Sequence, residues 1–141
     1  MSQPNYRIIN ILFLESSFKR VRQFQEGIDI VVSLDVQKSV SFFEDNGKQM
    51  VQIELTVAAI GKIAEEEIYT CMATTTGIFS CESGTDESNE IFANINGPAI
   101  IYPFIREYMA NLAMKGGITL FLPPVNFIKM HQDEKAKNNS Q

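Results

Sequence analysis

Any chemistry in this chain would have to start from one histidine, His131, and two cysteines, Cys71 and Cys81. A Ser/His/Asp or Cys/His pair needs an imidazole held rigidly against its nucleophile. His131 instead opens a polar run, HQDEKAKNNSQ, and residues 131–141 are expected to form a disordered tail. One histidine and two cysteines ten residues apart do not complete a zinc site. Cys71 lies in a strand-like stretch and reads as a small buried hydrophobe rather than a reactive thiol. Glu65, Glu66 and Glu67 read as a solvated loop or strand end. No glycine-rich phosphate loop is present, so ATP use is not indicated. Carboxylates are plentiful, yet no spacing singles out an acid/base pair. The expectation is a protein that is not an enzyme, has no catalytic residue, metal or cofactor, and works by binding.

Charge narrows what can be bound. The net charge is −5 and the pI is near 4.9, which argues against nucleic acid, because phosphates need clustered Lys and Arg. The opening MSQPNYRIIN lacks the features of a secretory signal, and no apolar run is long enough to span a bilayer. A cytoplasmic protein with no membrane insertion is expected, and two cysteines suit a reducing compartment. At 141 residues the chain is sized for one domain, read as residues 1–130.

The elements that must build the binding surface follow from periodicity. YRIINILFL, residues 6–14, reads as a first strand, and residues 15–26 read as irregular. From Ile28 to Val36, apolar and polar residues alternate, which marks a strand with one buried face. Asp45-Asn46-Gly47 is a turn. Val51, Ile53, Leu55, Val57 and Ala59 then alternate with more polar neighbours to give a third strand. A fourth runs from about Ile68 to Phe79. Short connections favour an antiparallel sheet. Residues 82–95 read as a loop with one helical turn, and Asn96 as the N-cap of a helix that Gly116-Gly117 ends. Pro103 marks either the true helix start or a kink near it.

That helix, NGPAIIYPFIREYMANLAMKGG, has one polar stripe through Glu107, Asn111 and Lys115. Most of its remaining circumference is apolar, including Ile101, Phe104, Ile105, Tyr108 and Leu112. A helix lying on a sheet buries only one side. Leaving several rings in water would cost on the order of 10 kcal/mol, comparable to the stability of a whole domain. The second side is expected to meet another subunit; the alternative cover is the ITLFLPPVNF segment of the same chain.

The helix followed by ITLFLPPVNF resembles the bacterial export chaperone SecB. The resemblance rests on Pro98, Tyr102, Pro103, Phe104, Arg106, Glu107, Gly116, Pro124, Val125, Asn126 and Phe127. TCMATTTGIFSCESG is also similar to that family's last strand, through Cys71 and Gly77-Ile78-Phe79. The resemblance covers about residues 6–130 and implies an α+β fold: a four-stranded antiparallel Greek-key sheet with a long helix on one face. It also implies a homotetramer, a dimer of dimers, with the helix and Cys71 at the subunit interface. The implied activity is an ATP-independent holdase that binds unfolded or preprotein chains in apolar grooves and passes them to the SecA motor. Met72 stands where SecB carries an acidic residue of its motor-docking patch, although Asp29, Asp35 and Glu54 keep nearby strands acidic. The chain after Phe127 is short, so the family's second helix is expected to be short or absent. ESSFKRVRQF departs from the family's usual N-terminal look, which suggests a divergent member. Such members can serve other clients, antitoxins among them.

For the groove, Phe42, Phe43, Phe79, Phe121 and Phe127 are the candidate walls, with Met130 as an adaptable neighbour. The rival reading is a thioesterase of the hot-dog type, in which the long helix comes early and later strands wrap it.

Overall fold

The computed structural model describes residues 5–82 and 85–139. Four strands, β1 (Asn5–Arg20), β2 (Val31–Asp45), β3 (Lys48–Ile63) and β4 (Glu66–Glu82), form one antiparallel sheet in the order β1-β4-β3-β2. Two tight hairpins join β2 to β3 and β3 to β4. The longer connection 21–30 carries the chain from β1 at one edge to β2 at the other, and β4 then pairs with β1, which makes a Greek key. Asn46 (φ 52°) and Gly47 (φ 79°) both take the left-handed conformation that a two-residue hairpin turn requires. The long helix follows all four strands, the reverse of the hot-dog order.

All four strands are longer than their alternation suggests, β4 at both ends. β1 carries register shifts at Ile8/Asn10 and Phe13/Glu15. Each inserts one residue, Ile9 and then Leu14, so the alternation flips twice and residues 15–20 look irregular while remaining paired. β2 starts at Val31 rather than Ile28 and continues to Asp45. As an edge strand it keeps side chains partly in water on both faces, so Ser39 and Ser41 are tolerated without breaking the ladder. β3 runs through Gly61 to Ile63, so the expected connection shrinks to Ala64-Glu65.

The sheet buries one face. Val51, Ile53, Leu55, Val57 and Ala59 of β3 point into a core shared with Cys71, Ala73 and Phe79 of β4. Over this inner face lies a helical layer. Helix α1 (Asp86–Ile91) runs through a π-helical turn, Phe92–Asn96, into α2 (Gly97–Lys115). The N-cap is therefore not Asn96, which is already helical and makes no capping bond. It is Thr85, whose side chain accepts from the Ser88 amide while the Ser88 side chain accepts from the Thr85 amide. Pro103 lies inside α2 on its exposed side, where water can take the carbonyl its missing N–H leaves unpaired. Helix and sheet approach closely at Gly77, where a Cβ would stand 2.6 Å from Ile101 Cδ1.

After Gly116 the chain returns across the inner face, with Ile118, Leu120 and Leu122 buried. It then enters a further helix, α3 (Phe127–Asn139). Residues 131–139 are thus helical rather than a disordered tail; the last two residues lie outside the described ones. The Asn126 side chain accepts from the Lys129 amide and caps this helix. No helix among the described residues is long and apolar enough to cross a membrane.

Candidate functional site

The inner face is bordered by two edges of different character. On the β2 border, Leu34, Val36 and Val40 are only half-buried, and Phe42 faces the same way, in register with the buried Val51. β2 has no register shift along its fifteen residues and no neighbouring strand on its outer side. Such an edge can pair with an extended chain. Between β2 and α3 lies an open cleft of about 540 Å³ whose lining includes Val36, Asn126, Met130 and Glu134.

The returning segment 118–126 carries Phe121, a ring 83% exposed to water. Its neighbours Leu120 and Leu122 are anchored in the core, and extended backbone alternates sides, so Phe121 must point away. Tyr102 on α2 fixes the segment by donating to the Pro123 carbonyl at 2.6 Å and meeting Phe127 edge to face at 6.0 Å. Burial raises the Tyr102 phenol above its ordinary pKa, with Arg106 opposing. The ITLFLPPVNF segment therefore does cover one flank of α2.

The five expected wall residues separate. Phe42 is exposed on the inner side of the sheet, and Phe121 is exposed on the returning segment, pointing away from the core. Phe43 is equally exposed but pairs with Met50 and faces the other side of the sheet, because successive strand residues alternate. Phe79 and Phe127 are core residues, 1% and 4% exposed, and offer no surface to a ligand.

On the β1 border the helix answers differently. Ile101, Ile105 and Cys71 are buried within the chain itself, so they contribute packing rather than contact surface. Burial pushes the Cys71 thiol up to about 11 and also raises Cys81 and Tyr69. Phe104, 47% exposed, and the half-buried Tyr108 and Leu112 remain available. Tyr108 stacks on Phe13 of β1 at 4.6 Å and shares a 2.8 Å hydrogen bond with Ser16. Ile8, Phe13 and the bulge residues Ile9 and Leu14 extend this apolar surface along the β1 edge. Periodicity could not find them, because the bulges erase it. Their density of large apolar side chains, RIINILFL, was the available signal.

The outer face of the sheet is mixed in charge. Met72 sits in a row with Ser17, Ala58 and Asp35. The rows on either side carry Glu15 and Lys19, so a basic residue now stands beside this position. Asp29 lies before β2 rather than on the sheet. No cluster of His, Cys, Asp and Glu suited to a metal ion occurs among the described residues.

Comparison with known proteins agrees with this architecture. The model of the SecB family, described as preprotein translocase subunit SecB, matches residues 3–138. A protein-export protein SecB of Halorhodospira halophila is 30% identical over 92 residues, covering 64% of this chain and 53% of that protein. One from Wolbachia sp. subsp. Brugia malayi is 28% identical over 160 residues, covering 99% of this chain and 95% of that protein. The chain thus spans about half the length of the first of these relatives. Among solved structures, a Mycobacterium tuberculosis SecB-like chaperone in complex with a ChAD peptide from the HigA1 antitoxin superposes with a TM-score of 0.71. That match is 18% identical in sequence and covers 85% of this chain and 90% of that one, a likeness of fold. With the family model matched over almost its whole length, the strand order and the helical layer in place, the chain belongs to the SecB family.

Proposed function

We propose that this protein is an ATP-independent holdase that binds unfolded, export-bound polypeptides along the β2–α3 border and releases them to the export machinery. The observation that carries this reading is Phe121: a large ring almost wholly in water, on a segment locked at Leu120, Leu122 and Tyr102. A ring held out rigidly loses little conformational freedom when an apolar client covers it. Phe42, Val36 and Val40 continue the apolar track along β2, and the free edge can add main-chain hydrogen bonds. Apolar burial has no direction, so such a surface recognises exposed grease rather than one sequence.

The β1 border serves assembly in this reading. Phe104, Tyr108, Leu112, Ile8 and Phe13 form an apolar surface that a second copy would cover, leading to a homotetramer built as a dimer of dimers. Repeating the client track on each protomer lets weak contacts hold one long chain firmly. Handover to the SecA motor by the outer face of the sheet would meet a weakened negative charge, because Met72 and Lys19 dilute it. Antitoxin clients form a second reading, favoured by the antitoxin peptide bound to the similarly folded chaperone. A cytoplasmic location suits either.

The test is aggregation of a chemically unfolded client diluted into buffer without nucleotide. The wild-type chain is expected to suppress light scattering near stoichiometric ratios. Phe121→Ser should lose most of that protection at unchanged oligomeric mass. A Phe121→Ser variant as protective as wild type would remove this assignment of the surface.

A further inference from the structure

The sequence holds two asparagine-glycine pairs, Asn46-Gly47 and Asn96-Gly97, and the fold treats them in opposite ways. An asparagine carboxamide carbon lies within five-membered-ring reach of the next residue's amide nitrogen. Glycine, with no side chain, crowds that approach least. Every other asparagine of the chain precedes a larger residue.

Asn46-Gly47 is the whole of the β2–β3 turn, and both residues are exposed. A Cβ on Gly47 would meet nothing within 4 Å, so the turn packs against no neighbour. Asp45 and Lys48 close the ladder, which leaves the Gly47 amide outside it. Among the described residues, neither the Asn46 carboxamide nor the Gly47 amide is tied up by a hydrogen bond. Asn96-Gly97 lies where the π-helical turn runs into α2. Asn96 is helical, at φ −72° and ψ −43°, and the Gly97 amide donates to the Phe92 carbonyl. Gly97 is buried, and a Cβ there would collide with Ile53. Closing a ring at Asn96 requires the helix to open first.

We propose that Asn46 is a modification site at which the folded protein deamidates without an enzyme, while its helix protects Asn96. Base takes the Gly47 amide proton, and the nitrogen attacks Asn46 Cγ. The new N–Cγ bond closes a succinimide as the Cγ–Nδ2 bond breaks, and Nδ2 leaves as ammonia with a proton returned by solvent. Water then opens the ring at either carbonyl. One opening gives aspartate. The other gives isoaspartate, in which the main chain runs through the former side chain and gains one atom. Either product adds one negative charge and takes the net charge from −5 to −6. Arg7 and Lys48 line the same cleft as Asn46, so the new charge has cations as well as Asp45 for neighbours. An aspartate-glycine pair still suits the turn. Isoaspartate does not, because it lengthens a two-residue turn whose geometry fixes the pairing of β2 with β3. The Asp45–Lys48 and Glu44–Gln49 pairs should part first.

The folded protein, kept warm in mildly alkaline buffer and then digested, tests this by peptide mass spectrometry. The Asn46 peptide should convert at least about tenfold faster than the Asn96 peptide, because only the second waits on a local opening. In urea strong enough to unfold the chain the two rates should converge. Amide exchange across residues 44–49 should rise in the isoaspartate form. It should stay near its starting level in Asn46→Asp, which carries the same charge on an unlengthened chain. Asn46→Gly keeps a pair that suits the turn, lacks the carboxamide and should give no early acidic product on anion exchange. Conversion at Asn96 as fast as at Asn46 in the folded chain, or conversion of Asn46 only in urea, would overturn the proposal. So would an Asn46→Gly chain that turns acidic at the wild-type rate. Unchanged exchange in the isoaspartate form would overturn its effect on the hairpin.

Discussion

Cys71 shows how burial, rather than sequence, sets the chemistry of a side chain. Its thiol faces the Met109 carbonyl from inside the core, and burial pushes its pKa up to about 11 from an ordinary 9.0. The nucleophilic thiolate is therefore scarce, and alkylating reagents at neutral pH are expected to label Cys71 only after unfolding. The same shift couples to stability. Above the ordinary value the unfolded chain gives up a proton that the folded chain keeps, so stability is full below about pH 9 and falls as pH rises toward about 11. Cys81, Tyr69 and Tyr102 are shifted in the same direction and add to the trend. Urea midpoints near pH 8 and pH 10.5 should therefore diverge, and Cys71→Ala should narrow the gap without closing it. At this scale the sequence was a fair guide to Cys71 as a packing residue. It could not tell Phe42 from Phe43, whose opposite faces are fixed only by register with Val51 and Met50.

At the scale of elements, α3 depends on tertiary contacts rather than on its own composition. Phe127 docks on Tyr102, Met130 packs on the core, and Glu134 reaches Lys38. Replacing Phe127 by Ala removes the one fully buried ring of the helix, at a cost of about 3–5 kcal/mol if the site does not collapse. The expected outcome is local: amides of residues 128–138 should exchange near solvent rates while those of β3 and β4 stay protected. Global unfolding instead would mean that α3 is part of the main cooperative unit. These same contacts explain why the helix was missed. FIKMHQDEKAKNN carries little amphipathic signal, and the lysine that pairs with Glu134 lies far away on β2. The Asn126 cap was visible, but the prolines before it drew attention to a break. β3 was legible because its inner residues are uniformly buried and its outer ones, Met50 apart, are not. β1 was legible only as far as its second bulge. The long helix and the PVNF segment were legible as a joint motif, whereas the helix start was hidden by continuity with α1 through the π-helical turn.

For the whole molecule, the proposed function divides the work between two apolar borders of one protomer, one for assembly and one for client capture. Phe104 belongs to the first. Phe104→Glu, on an exposed position of α2, should leave the far-ultraviolet spectrum unchanged and weaken self-association by at least about tenfold, read as a fall in mass by light scattering. The second border carries the central claim that unfolded chains lie along β2 and the segment bearing Phe121. A benzophenone side chain placed at position 121, and in a separate variant at position 37 on the outer face of β2, tests this by photocrosslinking to an unfolded client. The account predicts strong crosslinking from position 121 and background from position 37. Crosslinking from position 37 with none from position 121 would contradict it.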